Sequence, residues 1–197
     1  RYNLRAVAEY DEESNNIYVT FRGTDNFDNK IIDFKISKET YDGCKDCKVH
    51  LGFLQAYDSL KSALQTEISA LAAKYPNANI VITGHSLGGA MATLCAVDLQ
   101  NRGNKVSLYA YGSPRVGNEE FAKYANQKIE GLNYRISYIN DPVTGVPPSS
   151  LGYLHTGQEI YYYDNKNYLV FPKGFDNKKN FNSWDLNQHS QYGNIEV

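Results

Sequence analysis

The stretch Asn79-Ile80-Val81-Ile82-Thr83-Gly84-His85-Ser86-Leu87-Gly88-Gly89-Ala90-Met91-Ala92-Thr93-Leu94-Cys95-Ala96 decides how this chain is read. Four of its first five residues, Ile80 to Thr83, are β-branched, which is strand chemistry, and its last seven are rich in Ala, Leu and Met, which is helix chemistry. Between them stands Gly84-x-Ser86-x-Gly88. A serine held on so sharp a strand-to-helix turn needs neighbours without Cβ atoms, because strand and helix must approach closely there. The turn also places the backbone N–H of Leu87 at a helix N-terminus, where unpaired amides and the helix dipole favour negative charge. Leu87 thus supplies half of an oxyanion hole, and Ser86 is expected to be a nucleophile.

Working outward, residues 4–10 and 17–22 are predicted to be two strands joined by the polar turn Asp11 to Asn16. Phe53, Tyr57, Leu60, Leu64, Ile68 and Leu71 recur at helical steps and predict a helix over 53–74, closed by Pro76 and Asn77. A strand over 79–83, a helix over 87–101, a strand over 105–111, a helix over 118–129 and a strand over 134–139 follow. This βαβαβ alternation calls for a mostly parallel central sheet flanked by helices. With the serine at a strand–turn–helix junction, the expected architecture is an α/β-hydrolase fold. The tail adds Tyr-rich strands over 160–163 and 167–171 and an Asn/Lys-rich loop around 176–182. No internal repeat or linker divides the 197 residues, so a single domain over 1–197 is expected.

A formal net charge of −2 provides no electrostatic reason to expect nucleic acid as a partner. No apolar run approaches the ~18 residues of a membrane span. Arg1 to Ala8 already has strand-like alternation with no signal peptide before it, so the sequence is expected to be either a processed form or one shortened at its start. Cys44 and Cys47 form a C-x-x-C pair in the polar stretch Tyr41 to Cys47, without the helix N-terminus of a redox motif or the further ligands of a zinc site. A local disulfide between them is expected, worth about 2 kcal/mol for so short a loop. It implies an oxidising, extracellular setting. Cys95, on the helix after Ser86, is expected to be a buried free thiol.

A serine nucleophile needs a histidine base, and the base needs a carboxylate. In this fold the chain order is serine, acid, histidine. Of the four histidines, His50 precedes the serine and His85 adjoins it, pointing away, which leaves His155 and His189. His155 stands just before the Tyr-rich strand, as a framework histidine would, whereas His189 lies in a polar loop near the C-terminus; His189 is preferred. Asp141 follows the strand 134–139 and precedes Pro142, so it sits at the carboxyl edge of the sheet. Asp98 lies mid-helix, and Glu119 and Glu120 look like first-turn helix residues.

Taken together, Thr20-Phe21-Arg22-Gly23-Thr24, Lys48 to Phe53, Thr83 to Ala90, Tyr111 to Asn118, Asn140-Asp141-Pro142-Val143, Pro147-Pro148 and Gly152 to Glu159 resemble the fungal class 3 lipases and the related feruloyl esterases. The resemblance implies Ser86, Asp141 and His189 as the catalytic triad and Thr24 as the second oxyanion contributor beside Leu87. It also implies a lid over 25–34. As a helix, that segment would put Phe27, Ile31 and Phe34 on one face. The chain departs from the family at Lys30, where well-known lids carry tryptophan, and at Gln188, where an acidic residue usually precedes the histidine; it also begins inside an early strand, without the family's N-terminal helix. The Cys44-x-x-Cys47 pair looks more like the feruloyl esterase branch, and Gly88-Gly89-Ala90 with its helix more like the lipases.

The implied function is serine carboxylic-ester hydrolysis of lipase type, with a feruloyl-type esterase acting on plant cell-wall esters as the rival. An inactive binding protein of the same fold is the alternative of another class. No metal or organic cofactor is expected. The expected partner is a lipid or aryl ester, met at a lipid–water interface in the lipase case, and the protein is expected to be secreted and monomeric.

Overall fold

The computed structural model describes residues 4–23, 36–176, 186–192 and 195–196. A seven-stranded sheet organises them. Its first hairpin, β1 (Ala6–Asp11) and β2 (Asn16–Phe21), pairs antiparallel around the polar turn. A smaller antiparallel pair follows, β3 (Lys38–Thr40) with β4 (Lys48–His50), and the Cys44–Cys47 disulfide lies in the loop between them. At three residues each, both strands are too short for sequence alternation to reveal.

Helix α1 (Leu51–Lys74) starts two residues before its apolar periodicity does. His50 caps it, Nδ1 accepting the backbone N–H groups of Gly52 at 3.1 Å and Phe53 at 3.3 Å. Histidine is an uncommon N-cap, so composition alone does not reveal this start. Strand β5 (Asn79–His85), helix α2 (Leu87–Asn101), strand β6 (Val106–Tyr111), helix α3 (Glu119–Lys128) and strand β7 (Asn133–Tyr138) then alternate as expected. Strands β8 (Gln158–Tyr162) and β9 (Tyr168–Phe171) complete the sheet in the order β1-β2-β5-β6-β7-β8-β9. Pairing is parallel from β2 through β8 and antiparallel only at the two edges.

Strand alternation gives the sheet two different faces. Ile17, Val19 and Phe21 of β2, Ile80 and Ile82 of β5, and Val106, Leu108 and Ala110 of β6 form the main core, in which α1 and α2 bury Phe53, Tyr57, Met91 and Leu94. Cys95 joins this core as a free thiol. The other face is rich in tyrosine. There Ile136, Tyr138 and Tyr192 are buried, with Tyr109, Tyr111, Tyr134 and Tyr162 packed around them. The parallel strands point their carboxyl ends one way, and loops from β5, β6 and β7 therefore meet at one edge.

Candidate active site

Three strand ends build the site. Ser86 follows β5 with φ 58° and ψ −128°. Such a left-handed conformation costs a non-glycine residue on the order of 1–3 kcal/mol, and it persists only where its surroundings enforce it. Those surroundings are visible. A Cβ on Gly84 would lie 2.4 Å from the Gly88 carbonyl, and one on Gly88 would lie 2.2 Å from the Phe21 oxygen. Helix α2 thus rests directly on backbone at the ends of β5 and β2. The Ser86 N–H donates to the Tyr111 carbonyl at 2.9 Å, tying the turn to β6. Ser86 is 2 % exposed, and its Oγ has no hydrogen-bond partner among the described residues. Leu87 opens α2, so its amide is one of those that a helix leaves without an intrahelical acceptor.

Asp141 follows β7 and is fully buried. One carboxylate oxygen accepts the Val143 N–H at 2.9 Å, so the side chain caps the 3₁₀ turn Pro142–Gly145. The other accepts His189 Nδ1–H at 2.9 Å and the Tyr192 hydroxyl. A carboxylate at Nδ1 fixes the tautomer and leaves Nε2 able to take a proton. His189, expected in a polar loop, is in fact 4 % exposed, held in place after the short turn Leu186–Gln188. Asp141 and the stacked ring of His85 lie against it, contacts that local polarity does not report. His155 has the framework role expected of it: it is buried, and its Nε2–H donates to the Thr144 carbonyl at 2.7 Å.

Gly23 packs against the Ser86 turn, its Cβ position lying 3.4 Å from the Ser86 Cβ. The next residue, Thr24, and the lid positions Phe27, Ile31 and Phe34 lie outside the described residues. Of the residues expected to form the site, the fold brings together Ser86, Leu87, Asp141 and His189. Among the described residues no cluster of His, Cys, Asp and Glu could hold a metal ion.

Local sequence does not single out three further contributors. Tyr192 shares an Asp141 oxygen with His189, and burial, then the nearby Asp141 charge and hydrogen bond, hold its phenol well above its ordinary range, hence protonated. An aromatic residue three positions after His189 was the available signal. Gly112 follows β6 with φ +52°, and a Cβ there would stand 2.8 Å from the Tyr192 hydroxyl, 2.9 Å from Asp141 Oδ2 and 3.1 Å from His189 Cε1. The glycine in Tyr111-Gly112-Ser113-Pro114 therefore leaves room for Asp141 and His189 to meet. The third contributor is Arg115, 2 % exposed. It donates from Nε and Nη2 to Asp176 at 2.8 and 2.9 Å and from Nη1 to the carbonyls of Gly145 at 2.5 Å and Pro147 at 3.1 Å. Asp176 also accepts the His155 N–H at 3.0 Å. Arg115 and His155 together fasten the turn after Asp141 to the segment that leads toward His189.

These groups make stability depend on pH in one direction. Burial, then repulsion from Arg135 and Arg115, holds His155 well below its ordinary value, and burial lowers His85 to about 4. Burial alone would raise the Asp176 carboxyl, yet its bond to Arg115, the Arg115 charge and the His155 backbone N–H hold it low. All three bind protons more readily when unfolded, so stability is present at neutral pH and lost on acidification. The loss starts below ~6.5, where unfolded histidine protonates, and continues below ~4 as unfolded aspartate does. Between pH 7.5 and 5 His85 is expected to remove about 2 kcal/mol, and His155 acts in the same direction. Urea unfolding at the two pH values measures this; a midpoint unchanged or higher at pH 5 contradicts it.

A mostly parallel sheet with a strained serine turn after β5, an aspartate after β7 and a histidine near the C-terminus defines an α/β-hydrolase. Comparison with known proteins agrees. Residues 18–151 match the family described as lipase (class 3). A secreted mono- and diacylglycerol lipase of Fusarium solani is 40 % identical over 158 residues, covering 80 % of this chain and 47 % of that protein. The crystal structure of a lipase from Rhizopus microsporus var. chinensis superposes with a TM-score of 0.93 at 31 % identity, covering 99 % of this chain and 71 % of that one. A triacylglycerol lipase whose catalytic centre is described as a serine protease triad superposes at 0.90 with 32 % identity, over 99 % and 77 % of the two chains. The chain belongs to the class 3 lipase family. It spans about half the length of the curated relatives it matches.

Proposed function

We propose that this chain is the hydrolase domain of a serine carboxylic-ester hydrolase of triacylglycerol-lipase type, with Ser86, Asp141 and His189 as its triad. The observation that carries this reading is the buried Asp141–His189 hydrogen bond at the same sheet edge as the strained Ser86 turn. His189 Nε2 takes the Ser86 proton as Oγ attacks the ester carbonyl. The Leu87 and Thr24 amides hold the oxyanion. His189 then returns the proton to the leaving alcohol, and water repeats the cycle on the acyl-serine. Asp141 keeps the imidazole oriented and supports its positive charge.

Residues 25–34 serve as a lid in this reading, with Phe27, Ile31 and Phe34 moving from the cleft onto a lipid surface. Each such side chain is worth roughly 1.5–3 kcal/mol when fully buried. Secretion and a monomeric state belong to the same proposal. The Cys44–Cys47 disulfide and relatives named as secreted lipases support the extracellular part.

Hydrolysis of tributyrin, triolein and methyl ferulate, below and above the solubility limits of the lipids, tests the reading. A rise in rate once the triglyceride forms an interface supports a lipase with a working lid. Turnover confined to soluble short-chain or cinnamoyl esters makes it an esterase with a fixed segment at 25–34. No turnover of any ester, with no labelling of Ser86 by an organophosphate, removes the proposal and leaves the inactive binding protein.

A further inference from the structure

His85, the last residue of β5, is turned to the tyrosine-rich face of the sheet, where it lies across from Tyr111. Its Nε2 stands 2.9 Å from the main-chain oxygen of His189. A carbonyl only accepts, so His85 carries its proton on Nε2 and donates it. The two imidazole rings are stacked, centroids 4.4 Å apart and planes 30° apart, and Tyr192 meets His85 edge-on at 5.4 Å. One residue thus contacts the backbone and the ring of the proposed base while being covalently joined to the proposed nucleophile.

We propose that His85 is a positioning residue for the base: its Nε2–H holds the His189 carbonyl and its ring backs the His189 imidazole, referencing the base to the strand end that carries Ser86. The inference rests on the triad reading above. Asp141 holds Nδ1 of His189 from the end of β7. His85 adds a second point of reference, from the end of β5. Its charge state suits the role. The titratable groups facing it are His189 and Tyr192 from the C-terminal segment, Asp141 from the end of β7, and Tyr111 of β6. Burial, reinforced by His189, lowers His85 to about 4, so a neutral ring backs His189 as it becomes an imidazolium.

Two variants separate the carbonyl bond from the stacking. His85→Phe keeps a ring and loses the donor; His85→Gln keeps an N–H at similar reach and loses the ring. On p-nitrophenyl butyrate, His85→Phe is expected to lower kcat about tenfold with little change in KM, since misplacing a catalytic group costs rate rather than binding. His85→Gln is expected to recover most of that loss. Rates are expressed per Ser86 labelled at the end point with diethyl p-nitrophenyl phosphate, which discounts misfolded protein. Parent-like kcat in both variants, or Gln as poor as Phe, overturns the proposal. A parent that neither turns over nor labels refutes the function reading instead, and proton NMR then decides the present one. The far-downfield His189 Nδ1–H signal is expected to persist in the parent and in His85→Gln and to exchange faster with water in His85→Phe; equal exchange in all three overturns it.

Discussion

Asp141→Asn is expected to lower kcat by about 10⁴ while leaving the chain folded, the magnitude set by the tautomer requirement of Ser-His-Asp centres. The reason lies in which groups Asp141 faces. Val143 N–H donates to one oxygen, and His189 Nδ1–H and the Tyr192 hydroxyl donate to the other. An asparagine keeping its oxygen toward Val143 turns its NH2 toward His189. Nδ1 must then accept, Nε2 carries the proton, and the base can no longer take one from Ser86. Tyr192 adapts by accepting from the same NH2, because a hydroxyl works in both directions. The fold should therefore survive. Turnover of a soluble ester and thermal unfolding by circular dichroism check both halves; a variant retaining a tenth of the parent kcat would show that Asp141 does not orient the base.

The second large effect is expected at Arg115→Met, a loss of about 3–5 kcal/mol, since removing one partner leaves a buried charge uncompensated. For a chain of this length that corresponds to a fall in Tm of roughly 10 °C. Asp176, whose side chain is 4 % exposed, would keep only the His155 N–H of the two partners described for it. The Gly145 and Pro147 carbonyls would lose a donor as well. Pairing Arg115→Met with Asp176→Leu discriminates between these terms. The double variant is expected to regain the part due to the stranded carboxylate but not the part due to the two carbonyls. A single-variant loss below about 1 kcal/mol, the range of exposed pairs, would mean that the pair does not act as a buried one.

Much of the site was legible before any coordinates. Strand and helix chemistry meeting on Gly84-x-Ser86-x-Gly88 located the sharp strand-to-helix turn, and the φ of 58° at Ser86 with backbone packed against Gly84 and Gly88 is its structural counterpart. The expected C-x-x-C disulfide forms, and Cys95 is a buried thiol. Chain order and a strand ending at Pro142 pointed to Asp141, and elimination pointed to His189; the fold joins the two by a hydrogen bond. The lid residues and Thr24 lie outside the described residues and remain part of the proposal.

What the sequence by itself determined was local: periodicity of two or 3.6 residues, glycine where backbones must touch, and the order of the strands' terminal residues. The tertiary structure alone decided the long-range pairings. Tyr192 meets Asp141 across 51 residues of chain, Arg115 meets Asp176 across 61, and His85 meets the His189 carbonyl across 104. The same distance effect hid the burial of His189, which meets Asp141 and the His85 ring from 48 and 104 residues away. Helix and strand signals arise between residues a few positions apart, where sterics and backbone bonding act directly. Buried hydrogen bonds and ion pairs form only once parallel strands bring their ends to one edge, so no short window of sequence contains them.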